Sequence, residues 1–313
     1  WTEFETTWFI AKRLMALGLQ VTIGKANICE SEVLGRDPVL VSDAMKRAAA
    51  HGVPEDFLKA TEGYTGAVAR FDTGKPGPTT AFRSDIDCVL VRETDNPEHL
   101  PNKLGFASER PGFMHACGHD GHTAVGLAVA HWLVMNKDRL CGRFILIFQP
   151  AEEGVRGARA MAASGLVDHV DYFLGGHVGG DAKLGEIAVM DGGFLASTKF
   201  DVSIEGTPAH AGNSPELGHS ALMAACAASL MIQGIPRNSH GETRVSVGKL
   251  EAGEGRNVIP AHAKLQMEVR GETMAVNQFM ADYVYDIFAG VDKAYRVKSK
   301  VTKEGEIGRA SCR

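Results

Sequence analysis

The sequence predicts an α/β domain with a mostly parallel sheet flanked by helices, followed by a smaller α+β domain of ferredoxin-like order. Three observations predict it. Short apolar strands alternate with helical stretches over the first 190 residues or so, and from about residue 195 the apolar residues switch to two-residue alternation. The length of 313 residues, at 44% hydrophobic and 23% charged, suits about two domains of ~150 residues, each with its own core.

In chain order, Thr79-Thr80-Ala81-Phe82-Arg83 reads as a strand running into the polar Ser84-Asp85-Ile86-Asp87. Asp95 to Gly112 reads as a charged surface loop, and Thr123 to Asn136 as an apolar helix. Arg143 to Phe148 is a buried strand halted at Gln149-Pro150, because proline donates nothing to a ladder. A short helix over Ala158–Ser164 precedes a third strand, Asp171–Leu174, which Gly175-Gly176 ends. Beyond residue 195, Phe200, Val202 and Ile204 alternate with polar residues, as a strand wet on one side does. A helix over Ser220–Ile232 follows, then alternating strands around Val245–Val247 and Leu265–Val269. Val276, Phe279, Met280, Tyr283, Ile287 and Val291 keep helical spacing, and Tyr295 to Val301 alternate again against lysines that suit an edge strand. The resulting order is β-α-β-β-α-β.

Composition excludes several classes. Lys and Arg total 33 against 38 Asp and Glu, with no block of one sign, so no basic face is expected to hold nucleic acid. The longest apolar stretch, Ala124–Met135, is broken by His131 and is too short to cross a bilayer. Six cysteines at positions 29, 88, 117, 141, 226 and 312 are too dilute for a disulfide framework and suit a reducing, cytoplasmic setting.

The segments rich in chemistry fall at three strand ends and in one loop. His115-Ala116-Cys117-Gly118-His119-Asp120-Gly121-His122 gathers imidazoles, a thiol and a carboxylate in a loop just before a helix, whose amino end favours a thiolate. Thiolate and imidazole are transition-metal ligands, although a buried cysteine beside a histidine is the commoner meaning of so short a pattern. Glu152-Glu153 follows the buried strand, where one carboxylate can ligate a metal and its neighbour hold a water; acids opening a helix explain the pair equally well in isolation. His177 sits among glycines after the third strand, and Asp85 and Asp87 end the first. Open α/β sheets place ligands at this carboxyl edge, so the convergence of these groups there carries the argument. In the second domain His210 could brace an oxyanion, and Arg270 with Asn257 could clamp a carboxylate; each alone reads as a surface residue.

Taken in order, Ser84–Asp87, His115–Ala124, Phe148–Gly154, Gly176-His177, Ala209–Gly212 and Arg256–Pro260 resemble the metal-dependent aminoacylase, hippurate hydrolase and indoleacetyl-amino-acid hydrolase family. Thr73–Pro78, Arg156–Met161 and Ser197–Asp201 resemble its branch acting on aminobenzoyl-glutamate. The resemblance implies a catalytic domain over 1–194, an inserted lid and dimerisation domain over 195–305, and a start of the return to the catalytic domain over 306–313. It implies two divalent cations, Mn²⁺ or Zn²⁺, on Cys117, His119, Glu153 and His177, with Glu152 as general base and acid and Asp87 orienting the site. It further implies His210 as oxyanion stabiliser and Asn257 and Arg270 as holders of the substrate carboxylate. The expected reaction is hydrolysis of an N-acyl amino acid, in a homodimer or heteromer joined through the lid. Two other expectations are a deaminase of an aromatic amine on the same fold and a non-catalytic subunit. The family's pattern also has a segment before the position of Trp1 and a last metal-binding histidine after the lid; His219, His240 and His262 lie within the lid and are poor substitutes. Cys88-Val89 departs from the small apolar pair that usually follows the Asp-x-Asp.

Overall fold

Phe4, Thr7, Ile10, Ala11 and Leu14 recur at helical spacing and bury one face of helix α1 (Phe4–Ala16). A computed structural model describes residues 1–179, 182–189 and 194–308; Gly180 of the glycine run and the tail 309–313, Cys312 included, lie outside the described residues. After α1 come β1 (Gln20–Ile23), α2 (Pro38–Ala50), α3 (Glu55–Ala60), β2 (Ala67–Asp72), β3 (Thr79–Asp85), α4 (Leu100–Leu104) and α5 (His119–Met135). Then follow β4 (Arg143–Gln149), α6 (Gly157–Met161) and β5 (Tyr172–Gly175). Asp37 caps α2 through the amides of Val39 and Leu40, with Pro38 in the first turn where a missing N–H costs nothing.

The chain divides into two units, Trp1–Ala188 and Val189–Arg313. In the first, a mixed sheet has the order β1-β2-β4-β3-β5. Strands β4, β3 and β5 run parallel, while β1 and β2 are antiparallel additions that the sequence pattern does not reveal. Helices cover both faces: β4 sends Ile147 into a core with Phe4, Val41 and Phe57, and Leu146 and Phe148 into another with Leu14, Ala130 and Leu133. The parallel trio sets the carboxyl ends of β3, β4 and β5 side by side, and there the chemistry collects.

The second unit is β6 (Ala196–Glu205), α7 (Ala221–Gln233), β7 (Thr243–Ala252), β8 (His262–Gly271), α8 (Met274–Tyr295) and β9 (Lys298–Ile307). Its antiparallel sheet, ordered β7-β8-β6-β9, has ferredoxin-like topology. Phe200, Val202, Ile204, Leu265 and Val269 face the two helices and form its core. The lysine-rich strand does lie at a sheet edge, pairing among the described residues with β6 alone. Its start differs from expectation: helical packing carries α8 through Tyr295, and Arg296 ends it at φ +55°, so strand alternation begins only at Lys298.

Glu5 and Arg47 join α1 to α2 by a two-pronged ion pair of 2.7 and 3.0 Å. Burial pushes the Glu5 carboxyl up, but the bonds and charge from Arg47 outweigh it and hold its pKa below the ordinary value. A group lowered in the fold stabilises above its unfolded pKa of about 4.3 and loses that contribution as pH falls through the folded value. Glu5→Gln should therefore cost about 1 kcal/mol at neutral pH, a difference that narrows below about pH 4. Urea melts at several pH values check this; an equal gap at pH 3 and 7 would count against it.

Candidate active site

Gly118 makes the first turn of the site possible. At φ +86° it adopts the left-handed conformation that glycine tolerates, and a Cβ there would lie 2.5 Å from Val178 Cγ2. The chain then enters α5 at His119, four residues before the helix start the sequence suggested, so His119 and His122 share one face of its first turn. Cys117 stays just outside the helix.

Asp87, just beyond β3, receives two donors. His119 Nδ1 lies 3.1 Å from its Oδ1 and the Glu153 amide donates to its Oδ2 at 2.9 Å. Since a carboxylate only accepts, Nδ1 carries a proton, which leaves Nε2 as the ligand atom of the neutral ring. That Nε2 is buried without a hydrogen-bond partner among the described residues, 3.7 Å from Glu153 and 4.0 Å from Glu152. Cys117 Sγ meets His177 Nε2 at 3.4 Å, while His177 Nδ1 turns to the Val178 carbonyl at 2.7 Å. Potential ligand atoms of Cys117, His119 and His177 lie within 4.8 Å of one another, as do those of His119, Glu152 and Glu153. His119 is common to both groups.

The glutamates stand on a tight turn after β4. Ala151 and Val155, on either side of them, both have φ +52°, which a β-branched valine rarely adopts. The Ala151 amide donates to Glu3 Oε1 at 3.1 Å, and the amides of Arg156 and Gly157 return to its carbonyl. Gly157 permits the closure, since a Cβ there would lie 1.8 Å from the Pro150 oxygen. Backbone strain of this kind, about 1–3 kcal/mol per residue, concentrates at functional sites.

The electrostatics differ from the sequence reading at Cys117. Burial first, then bonding and charge from Glu153 with the charges of Glu152 and Asp85, push its thiol up to about 11. The acidic neighbours outweigh the helix end, so a thiolate here requires a cation to offset them. Glu152 is raised as well, by burial and then by Asp87 and Asp85, against Arg83 and His119. Burial lowers His119, but its bond to Asp87 and the surrounding acids win and raise it.

Of the residues singled out by sequence, Asp87, Cys117, His119, Glu152, Glu153 and His177 thus come together. Within the second unit, His210 and Asn257 are neighbours, since the Ala211 amide donates to the Asn257 carbonyl at 3.0 Å. The amides of Gly212 and Asn213 donate to His210 Nδ1, leaving its Nε2–H as a donor. Arg270 is not with them. It lies near the end of β8 and forms a fork with Glu268, and the strand from His262 to Arg270 spans roughly 26 Å at ~3.3 Å per residue. Sequence reasoning gave no role to Arg83 or Glu3 and left that of Asp85 open. Arg83 lies 2.6 Å from the fully buried Asp85 and also donates to Gln149; an Arg two residues before an Asp on one strand face was the available signal.

A mixed α/β domain thus gathers imidazole, thiol and carboxylate groups of metal-ligand type near parallel strand ends, and a ferredoxin-like domain follows it in the chain. Residues 81–300 match the model of peptidase family M20/M25/M40. The chain belongs to that family, and it is a hydrolase acting on amide bonds. It is 49% identical over 307 residues to a Haemophilus influenzae homolog of one subunit of p-aminobenzoyl-glutamate hydrolase, covering 98% of this chain and 73% of the relative. It is 46% identical over 297 residues to the indole-3-acetyl-aspartic acid hydrolase of Enterobacter agglomerans, covering 94% of this chain and 68% of that protein. The crystal structure of an aminobenzoyl-glutamate utilization protein from Klebsiella pneumoniae superposes with a TM-score of 0.82 at 40% identity, covering 100% of this chain and 73% of that one.

Proposed function

We propose that this chain is a metal-dependent amidohydrolase that cleaves N-acyl derivatives of an acidic amino acid, with an aminobenzoyl-glutamate-like amide as the first choice. The observation that carries it is His119: its Nδ1 is tied to Asp87, and its buried Nε2, set among thiol, imidazole and carboxylate, has no hydrogen-bond partner among the described residues. This donor set fits a pair of divalent cations such as Mn²⁺ or Zn²⁺. Cys117, His119, Glu153 and His177 would hold them, with Asp87 orienting His119 and the Glu153 backbone in the way outer carboxylates orient ligating histidines. When bound, such ions lower the pKa of a water and polarise a carbonyl.

Glu152 accepts the proton of the attacking water and delivers it to the amine nitrogen as the C–N bond breaks, leaving a free amino acid and a carboxylic acid. His210 offers its Nε2–H to the oxyanion that develops. The names of two relatives share the motif of an amide to glutamate or aspartate, which supports an acidic product. Asn257 and Arg270 hold the substrate carboxylate. Because β8 separates them within one chain, they serve one carboxylate only if they come from different chains, so this assignment requires a dimer through the lid. The relative whose name makes it part of a multi-subunit hydrolase favours a second reading, assembly with a different polypeptide. No described helix is long and apolar enough to cross a membrane, and Cys29, Cys88, Cys117, Cys141 and Cys226 are free, which fits a reducing compartment.

The test is a panel of N-acyl amino acids with the full-length protein, before and after chelation and with Mn²⁺ or Zn²⁺ restored. Release of glutamate or aspartate should vanish on chelation and return with metal. Turnover untouched by chelation, with no metal found on analysis, would remove the reading. Ammonia as the product would point to the deaminase, and activity appearing only with a second kind of polypeptide to the heteromer.

A further inference from the structure

The histidine-rich segment contains a residue that the proposed chemistry leaves unused. His122, 4% exposed, lies on the same face of α5 as His119. Its Nδ1 is 2.5 Å from Oδ1 of the fully buried Asp85. Its Nε2 accepts the Val178 amide proton at 2.8 Å. Asp85 only accepts and the Val178 amide only donates, so the ring is neutral with its proton on Nδ1 and both nitrogens engaged. Although atoms of Asp85, His119 and His122 lie within 4.8 Å of one another, His122 could ligate a cation only by giving up one of these bonds. Its geometry suits a strut better than a ligand.

The strut ends beside His177. Strand pairing of β5 stops at Gly175, and among the described residues no backbone–backbone hydrogen bond holds 176–179. What holds this stretch is Val178. Its amide binds His122, its carbonyl takes the His177 Nδ1 proton at 2.7 Å, and its side chain closes against Gly118. The His122 ring also packs edge-on against the His177 ring, with centroids 4.5 Å apart. This leaves His177 Nε2 facing Cys117 Sγ at 3.4 Å.

We infer that His122 is a positioning residue: anchored by Asp85 at the end of β3, it fixes the Val178 amide and so sets His177 where its Nε2 reaches the centre. The inference rests on the reading of His177 as a metal ligand. Asparagine at this position keeps a donor for Asp85 but is too short to reach Val178, whereas the longer glutamine places an amide oxygen near the original Nε2. In the full-length protein, His122→Asn should weaken binding of Zn²⁺, measured by competition with a chromogenic chelator, by about 10–100-fold. In the metal-free protein the Val178 amide should exchange its hydrogen about tenfold faster, read by mass spectrometry on peptides spanning it. His122→Gln should remain closer to the parent in both measurements.

Parental Zn²⁺ affinity in a folded His122→Asn would overturn the inference, whether or not exchange changes, because a residue that only packs shifts melting temperature and not affinity. If the Asn variant does not fold, His122→Gln decides: fast Val178 exchange with parental Zn²⁺ affinity, which separates the hold on Val178 from the metal site, is the contrary result. His177→Ala is the control for the underlying reading. Should it leave Zn²⁺ affinity unchanged, the assignment of His177 as a ligand fails, while Val178 exchange still reports whether His122 holds the turn.

Discussion

Glu152→Gln in the full-length protein should lower kcat by about 10²–10⁴-fold with the metal content unchanged. The substitution keeps the size of the side chain and an oxygen acceptor but removes the ability to take up and return a proton. Glu152 Oε2 stands 4.0 Å from His119 Nε2, too far for a bond that would position the ring, so the variant should leave the remaining groups in place. Burial and the nearby Asp87 and Asp85 push its carboxyl up, toward the range in which a base is strong enough to take a proton from water and weak enough to release it to an amine. Glu153→Gln is the contrast. Its backbone is tied to Asp87 and its carboxylate lies 3.7 Å from His119, so that change should cost metal as well as rate. Steady-state kinetics with metal analysis of both variants tests the division of labour. A Glu152→Gln enzyme that keeps more than about a tenth of parental kcat at full metal occupancy would show that the proton travels by another route.

Much of this architecture is legible in the sequence, and the rest is hidden for identifiable reasons. The second unit reads almost whole, because a sheet packed on one face writes its two-residue period plainly: Phe200, Val202 and Ile204 point inward in turn. The start of β9 is obscured because Tyr295 and Val297 satisfy two-residue alternation while the helical spacing of α8 also runs through Tyr295. Strands β1 and β2 escape notice, being short or mixed in polarity, and Arg70 and Asp72 blur the signal of a buried strand. In the site, Glu152, Glu153 and His177 are readable because strand endings locate them, and Cys117 and His119 because a histidine-rich loop opens a helix. What no spacing rule could supply is the set of pairings: which imidazole faces Asp87 and which faces Asp85 depends on the helix beginning at His119, and that depends on the backbone angle of Gly118. The positive φ at Ala151 and Val155 is equally invisible, since neither residue type signals it.

Asp85→Asn should be the most destabilising single-atom change in the first unit, costing about 3–5 kcal/mol at neutral pH. Asp85 has no exposure and lies between Arg83 at 2.6 Å and His122 at 2.5 Å. Burial alone would push its carboxyl up; the charge of Arg83, the bond from His122 and the influence of His119 reverse that and hold it below the ordinary value. The carboxylate is therefore the ionised centre of a buried cluster, and neutralising it leaves the Arg83 guanidinium, only 21% exposed, without its counter-charge. Asparagine adds a second penalty, because if its oxygen turns to Arg83 its NH₂ meets the Nδ1–H of His122, donor against donor. A double change, Arg83→Met with Asp85→Asn, removes both charges together. Replacing both members of a buried pair is far less costly than breaking it, so the double variant should recover a substantial part of the loss. Urea unfolding of the parent, the two single variants and the double variant gives the coupling directly. A cost under about 1 kcal/mol for Asp85→Asn would place that site among ordinary surface substitutions and rule out Asp85 as the ionised centre of a buried cluster.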